Sequence, residues 1–514
     1  MESNVTMPSV QNGRNVGRRA AAGGAWLLGA RLAQQGVLLI QVAVLARLLD
    51  PKAFGLVGLA DLAAQAIGVL VYTGYEFALV QRPDLEEIDI HTAWWVMLGR
   101  YLVIGAGLML LSGPISRFYR VPEATPILMA IGAIQVMQGL ASPSPILLRR
   151  GMRFRRLFQL DVGSAAVGLA VGVAAALALR TVWALVLARL ATTLTLIVLS
   201  YRLDPYRPRR RFSRSSFRQL SAYGRWMLGS AILAFVFWQG SNALAGAMFG
   251  VVALGIYQMA ARFGLLANSL FAEVFQGALM PAYALLQGDE ARVSTAFVST
   301  LGFAAMVLVG ITALIALGLP RLLIVVLGEQ WVEAAALVPV VAAAGGMHAM
   351  LRTGAPLYLG TGHPRFLFLI DLVQALTMVV LLYPLGRLLG LVGLPCAILA
   401  GTLCALPVWW HGVRQATSCT LQQVSIALAT PLLGAAAMVG VFSAGATARF
   451  AHAGSAAGVA WHIVLIVAAV LGYVAVIGLC QRVIPRYAPL VDLRDALRGM
   501  LGGRRPGAGL VQSP

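Results

Sequence analysis

Residues 24–49 read GAWLLGARLAQQGVLLIQVAVLARLL. The stretch is long enough to cross the hydrocarbon core of a bilayer, which takes about 20 apolar residues. Arg31 sits within it, and Gln34, Gln35 and Gln41 follow on one helical face. A charge is costly in hydrocarbon, so an arginine there faces a cavity or a partner and marks a functional position. Six more arginines lie inside apolar stretches: Arg47, Arg100, Arg189, Arg225, Arg262 and Arg352. The pattern points to a membrane protein with an anionic cargo.

The whole chain repeats this character. Of its 514 residues 59% are hydrophobic and 11% charged, and mean hydropathy is +0.82. A soluble domain carries about 25% charge. Fourteen apolar runs are expected to form membrane helices: 22–48, 53–79, 91–112, 124–147, 157–179, 181–201, 220–249, 252–285, 292–318, 331–352, 365–386, 388–411, 422–447 and 458–481. The fold class is therefore all-α and polytopic. The basic start (Arg14, Arg18, Arg19) leads into an apolar run longer than a signal-peptide core, so the first helix is expected to remain as a span. Cys396, Cys404, Cys419 and Cys480 lack ligand spacing, and neither a disulfide nor a metal is expected.

The net charge of +20 is distributed by topology. With the N-terminus inside, one side of the membrane receives the clusters Arg149 to Arg156 and Arg202 to Arg218 and the tail from Arg482 to Arg505. That is the positive-inside pattern, with both termini cytoplasmic. The clusters would meet anionic lipid headgroups, and no nucleic acid is expected. Trp26, Trp94, Trp95, Trp183, Trp226, Trp331, Trp409, Trp410 and Trp461 fall near span ends, whereas Trp238 lies deep, where it could line a cavity.

A shift of 200 residues places Gly24, Trp26, Leu28, Gly29, Ala53, Gly55 and Ala60 on Gly224, Trp226, Leu228, Gly229, Ala253, Gly255 and Ala260. Six spans separate the copies, so they share one orientation. Parallel repeats of this kind hold a transporter's substrate between them. The expected organisation is a cytoplasmic segment 1–21, an N-lobe 22–201, a basic linker 202–219, a C-lobe 220–412, a helical pair 422–481 and a basic tail 482–514.

Arg31, Asp61 and Arg262 fall near the midplanes of spans 1, 2 and 8. Asp61, Gln65, Tyr72 and Glu76 share one face of span 2, and Gln258, Arg262, Ser269, Glu273 and Gln276 share one face of span 8. Guanidinium groups match phosphate geometry and stay charged, so Arg31, Arg262, Arg100, Arg225 and Arg47 are candidates for a diphosphate. Asp61, Gln65, Glu76, Gln258, Glu273 and Asp371 are candidate cavity polar or ion-coupling groups, for a proton or sodium ion. The competing readings are structural. Arg31 and Asp61 could pair to hold helices in register, each acid could simply partner an arginine, and Arg47 and Arg225 could snorkel to headgroups. His348, four residues before Arg352, reads as a hydrogen-bonded structural histidine.

Residues 45–60 (LARLLDPKAFGLVGLA), 81–99 (QRPDLEEIDIHTAWWVMLG), 147–157 (LLRRGMRFRRL), 182–186 (VWALV), 254–263 (LGIYQMAARF), 280–293 (MPAYALLQGDEARV) and 327–336 (LGEQWVEAAA) resemble bacterial polysaccharide exporters. The resemblance is to Wzx-type flippases of the MOP superfamily, the colanic-acid-exporter-like branch, related to MurJ and MATE. It implies a V-shaped, two-lobed flippase of the bacterial inner membrane. Its cargo would be an undecaprenyl-diphosphate-linked oligosaccharide destined for exopolysaccharide, capsule or O-antigen, moved by alternating access without a bound cofactor. Arg31 and Arg262 are, by position, the implied diphosphate carriers, and a polymerase and export machinery of the same pathway are implied partners. A MATE-like drug exporter fits less well, because cationic cargo prefers carboxylates. A membrane polymerase or ligase would need a larger external loop.

Overall fold

The computed structural model describes residues 33–71, 86–151, 153–204, 206–209, 211–266, 279, 283, 284, 286, 288–446 and 456–483. The described residues are helical, with no strand among them. In chain order the long helices are α1 (Ala33–Leu48), α2 (Pro51–Leu70), α3 (Glu87–Phe118), α4 (Ala124–Gln138), α5 (Phe154–Leu179), α6 (Trp183–Leu203), α7 (Arg214–Phe249) and α8 (Val251–Gly264). They continue with α9 (Glu290–Leu327), α10 (Val332–Arg352), α11 (Pro364–Leu389), α12 (Gly393–Ala416), α13 (Leu421–Ala446) and α14 (Ala456–Val483). Among the described residues ten helices are long and apolar enough to cross a membrane, with Pro364–Ala416 counted as one. The all-α membrane fold expected from the apolar runs is the one observed.

Local signals explain the boundaries. Asp50 caps α2, its carboxylate accepting from Ala53 N at 2.9 Å, with Pro51 at the first helical position. Ser213 caps α7 the same way, Oγ accepting from Ser216 N at 3.3 Å. As a result α7 starts inside the expected linker 202–219, six residues before the apolar run. The fourth expected span, 124–147, is shorter than its apolar run. α4 ends at Gln138, and a separate short helix begins at Ser144. Pro143 and Pro145 lie at that break, and proline lacks the amide hydrogen a continuing helix needs. α11 and α12 form a tight antiparallel hairpin through Gly390, whose φ of +62° suits glycine.

The chain divides into two compact units, residues 1–255 and 256–514. α7, expected to open the second lobe, packs within the first unit against α2 and α3. Tyr119 Oη donates to the Ala243 carbonyl at 3.4 Å, and the Tyr119 ring lies against Gly246, where a Cβ would collide with it. Gly55 and Gly255, superposed by the 200-residue shift, meet reciprocally. A Cβ on Gly55 would overlap the Val251 carbonyl, and one on Gly255 the Pro51 carbonyl.

The linker is stapled to the start of α3. Tyr206 Oη donates to His91 Nδ1 at 2.5 Å, and Arg209 N donates to the same nitrogen at 3.2 Å. With Nδ1 accepting, Nε2 carries the proton and faces Glu87 Oε1 at 3.3 Å. Burial, with the Glu87 charge nearby, pushes the Tyr206 phenol well above its ordinary value and keeps it a donor. In the second unit Phe297, Tyr358, Phe366 and Trp409 build an aromatic core. There α13 and α14 pack on α9, with Tyr473 Oη donating to the Met306 carbonyl at 2.6 Å and His462 Nε2 to Gly318 at 2.8 Å.

Candidate substrate-binding site

Within the first unit, α2, α3, α4, α6 and α7 line an open cavity of about 840 Å³. α2 contributes Asp61, Ala64, Gln65, Gly68 and Val69, at positions i, i+3, i+4, i+7 and i+8. The same spacing on α7 contributes Ala231, Ala234, Phe235, Trp238 and Gln239. α3 adds Arg100 and Tyr101, α4 adds Gln135 and Gln138, and α6 adds Arg189. Two helices thus turn one continuous face to the cavity, which a random scatter of polar residues along them would not give.

The electrostatics are organised by one ion pair. Arg189 Nη1 donates to Asp61 Oδ1, joining α6 to α2, and the side chains are 32% and 35% exposed. Both groups stay accessible from the cavity. Beside the pair, Asn242 Nδ2 donates to Gln239 Oε1 at 2.8 Å, and Gln239 Nε2 donates to Gln65 Oε1 at 2.9 Å. The lining could hold an anionic or polyhydroxylated molecule by guanidinium and amide donors with an aromatic wall. Among the described residues no cluster of metal-ligating side chains occurs.

The sequence-derived candidates are distributed as follows. Asp61, Gln65 and Arg100 come together in this cavity, along with Arg189 and Trp238. Arg31, Glu76 and Glu273 lie outside the described residues. Arg47 is exposed in the last turn of α1, and Arg225 is on α7. Gln258, half-buried, and Arg262, exposed, are on α8 and belong to the second unit. Asp371 on α11 is paired with Arg352 on α10, Nη1 to Oδ1, at 2.7 Å. His348 is buried and hydrogen-bonded through Nδ1 to Gln374 Nε2 at 3.2 Å, and Gln374 reaches Thr402 Oγ1 at 3.2 Å. Sequence reading did not single out Tyr101, Gln135, Gln138, Phe235 or Gln239. The signal available was an amide inside an apolar run, weaker than a charge but still costly in hydrocarbon.

Comparison with known proteins agrees with this architecture. The chain is 27% identical over 363 residues to the succinoglycan biosynthesis transport protein ExoT of Rhizobium meliloti (strain 1021), covering 70% of this chain and 72% of that one. It is 21% identical over 291 residues to the lipopolysaccharide biosynthesis protein WzxC of Escherichia coli (strain K12), covering 56% and 59%. In fold it is similar to the lipid II flippase MurJ in an inward closed conformation, with a TM-score of 0.68, 12% identity and coverage of 89% of this chain and 99% of MurJ. An inward-facing MATE multidrug transporter of the MOP superfamily gives a TM-score of 0.55 at 17% identity, covering 74% and 94%. Residues 44–336, more than half of the sequence, match the polysaccharide biosynthesis protein family, to which the chain belongs.

Proposed function

We propose that this protein is a flippase that moves undecaprenyl-diphosphate-linked oligosaccharide units from the inner to the outer leaflet of the bacterial inner membrane, by alternating access. The units would feed exopolysaccharide, capsule or O-antigen synthesis. The observation that carries this reading is the arginine- and amide-lined cavity of about 840 Å³ among apolar helices, in a chain of the polysaccharide biosynthesis family. Relatives described as a succinoglycan transport protein and a lipopolysaccharide biosynthesis protein support the cargo class. The reading includes fourteen crossings with both termini cytoplasmic, and no catalytic step. Arg31 and Arg262 carry the diphosphate, Arg100 assists them, and Arg225 and Arg47 guide the anionic lipid from the membrane edge. Asp61, Gln65, Glu76, Gln258 and Glu273 are the candidates for contact with a coupling proton or sodium ion, whereas Asp371, paired with Arg352, is read as holding helix register. Anionic lipids surround the protein, and the polymerase and export machinery receive its product.

The test is the pool of lipid-linked intermediates in a strain deleted for the gene, followed by radiolabelled sugar and mass spectrometry. Complete units stranded on the cytoplasmic leaflet, with polymer lost, are expected. Complete units accumulating on the outer leaflet would instead indicate a polymerase or ligase, and an unchanged pool a drug exporter. Arg31→Ala and Arg262→Ala abolish polymer export in folded, inserted protein, and the lysine variants retain part of it, keeping charge without the guanidinium fork. Normal polymer in both alanine variants would overturn the diphosphate assignment.

A further inference from the structure

The α11–α12 hairpin of the second unit carries an outward side that changes character at one end. On α11 the exposed side chains Phe368, Leu369, Leu372 and Leu376 form one stripe, at positions i, i+1, i+4 and i+8. Arg365, also exposed, heads that stripe, three residues before Phe368 and four before Leu369. The last turns of α12 expose His411, Arg414 and Gln415. In the proposed topology, with cytoplasmic termini, this end of the hairpin lies at the inner leaflet.

The basic end is ordered by side-chain contacts. Arg365 Nη2 donates to Gln415 Oε1 at 2.5 Å, and the guanidinium lies 5.0 Å from the centre of the Phe366 ring. Phe366 is buried, so its ring is a fixed platform for the cation. With its oxygen engaged by Arg365, Gln415 turns Nε2 to His411 Nε2 at 3.1 Å. That imidazole nitrogen therefore accepts, and the His411 proton sits on Nδ1 as a donor. The His411 ring meets the Phe366 ring edge-on, centroids 5.7 Å apart. Arg365 keeps N–H groups beyond the one given to Gln415, and Arg414 stands beside Gln415 on the same turn.

No carboxylate answers these cations among the described residues. Between Glu333 and Asp492 the sequence holds one acid, Asp371, and it is paired with Arg352. Of the acids that begin α9, Asp289 holds Arg292 at 3.0 Å, and Glu290 makes no ion pair with the hairpin. Guanidinium groups that lack a carboxylate and are held in place suit a phosphate. The apolar stripe that continues from Arg365 says which kind. A soluble phosphate ester has no use for it, whereas a membrane phosphodiester brings an acyl chain that lies along it.

We infer that the inner-leaflet end of the α11–α12 hairpin is a binding site for an anionic phospholipid. The phosphodiester sits on Arg365 and the His411 Nδ1–H, with Arg414 beside it, and one acyl chain runs along Phe368, Leu372 and Leu376. The site belongs to the second unit and holds a lipid that is not transported, so the inference goes beyond the flippase reading. It makes the hairpin responsive to the anionic lipid content of the inner leaflet.

Photocrosslinking from the full-length protein in nanodiscs of equal phosphatidylglycerol and phosphatidylcholine tests it. The probe is p-benzoylphenylalanine in place of exposed Phe368, and the lipid adducts are counted by mass spectrometry. Phosphatidylglycerol adducts are expected to outnumber phosphatidylcholine adducts about fivefold, the worth of one arginine at a membrane surface. Arg365→Gln brings the two close to equality. Gln415→Leu, which keeps every charge and frees the guanidinium, lowers the ratio to about half. Arg387→Gln, at the opposite end of α11, leaves it unchanged. Arg365, Arg387 and Gln415 are exposed, and thermal unfolding of each variant checks that the fold is intact. A native ratio near one overturns the site, as does an enrichment that survives Arg365→Gln. An equal fall in Arg387→Gln also overturns it, by tracing the enrichment to the overall charge of the protein. Loss of the enrichment under excess glycerol 3-phosphate would make this a soluble phosphate-ester site and overturn the lipid assignment.

Discussion

Among the described residues two arginine–aspartate pairs lie inside apolar helices, one in each compact unit, and their surroundings differ. Arg189–Asp61 joins α6 to α2 at the wall of a cavity of about 840 Å³. Arg352–Asp371 joins α10 to α11 in the second unit, where buried His348, Gln374 and Thr402 link α10, α11 and α12 by hydrogen bonds. Exposure does not distinguish them, at 32% and 35% for the first pair and 27% and 39% for the second. The neighbours do. The first pair stands among amides and aromatic rings that line a space, and the second beside a network that fastens three helices. An intramembrane charge marks a place worth attention, and the groups around it decide between binding and register.

The same double substitution in both pairs would break or uphold that distinction. Arg189→Met with Asp61→Leu removes the cavity's ion pair and is expected to lower polymer export by about 10- to 100-fold, the worth of one or two charge-assisted hydrogen bonds. The protein should still insert and unfold cooperatively. Arg352→Met with Asp371→Leu is expected to leave export within about twofold and stability unchanged or slightly raised, because well-packed apolar residues replace an intramembrane pair at little cost. Export measured as secreted polymer per cell, beside thermal unfolding of the purified protein, separates the outcomes. Equal loss of export in both doubles would erase the difference between the regions.

A single substitution sharpens the second half. Asp371→Leu alone leaves the Arg352 guanidinium without its carboxylate. Breaking a fully buried pair costs several kcal/mol, and partial exposure here reduces the expectation to about 1–2 kcal/mol. A lower unfolding temperature, recovered when Arg352→Met is added, is the expected result. No recovery in the double variant would mean that Arg352 holds the helices through contacts other than Asp371.

Much of the fold was legible because the bilayer imposes its demand locally. A run of 20 apolar residues declares a helix without reference to what packs on it. Gly55 and Gly255, matched by the 200-residue shift, lie at a close approach that admits no side chain. Tertiary choices were less legible. Asp61 pairs with Arg189, 128 residues away, whereas the sequence offered Arg31 as its example partner. Helical periodicity reports a face and is silent on which helix that face meets. The packing of α7 on α2 and α3, within residues 1–255, was hidden for the same reason. Gln135 and Gln138, on one face of α4, went unnoticed because attention followed formal charge, although an amide in hydrocarbon also needs a partner. The early start of α7 was written in Ser213, a capping residue outside the apolar run.

The smallest expected effect belongs to a region remote from either pair. Tyr206→Phe deletes one hydroxyl, the donor to His91 Nδ1. The imidazole keeps the Arg209 amide as a donor to the same nitrogen, Arg209 keeps its ion pair with Glu87 at 3.3 Å, and Ser213 N still donates to Thr92 Oγ1 at 3.1 Å. The linker therefore stays attached, and the loss is expected to be about 1 kcal/mol of stability, a typical net value for one neutral hydrogen bond. Export should stay within about twofold of native, since the hydroxyl lies outside the cavity lining. Hydrogen exchange on the amides of 206–209 and polymer yield, measured together, check this. Faster exchange with normal yield would make the linker contact a matter of stability alone. A loss of export as large as that of the Asp61–Arg189 double variant would place the linker on the transport path and end the contrast between one functional region and its structural neighbours.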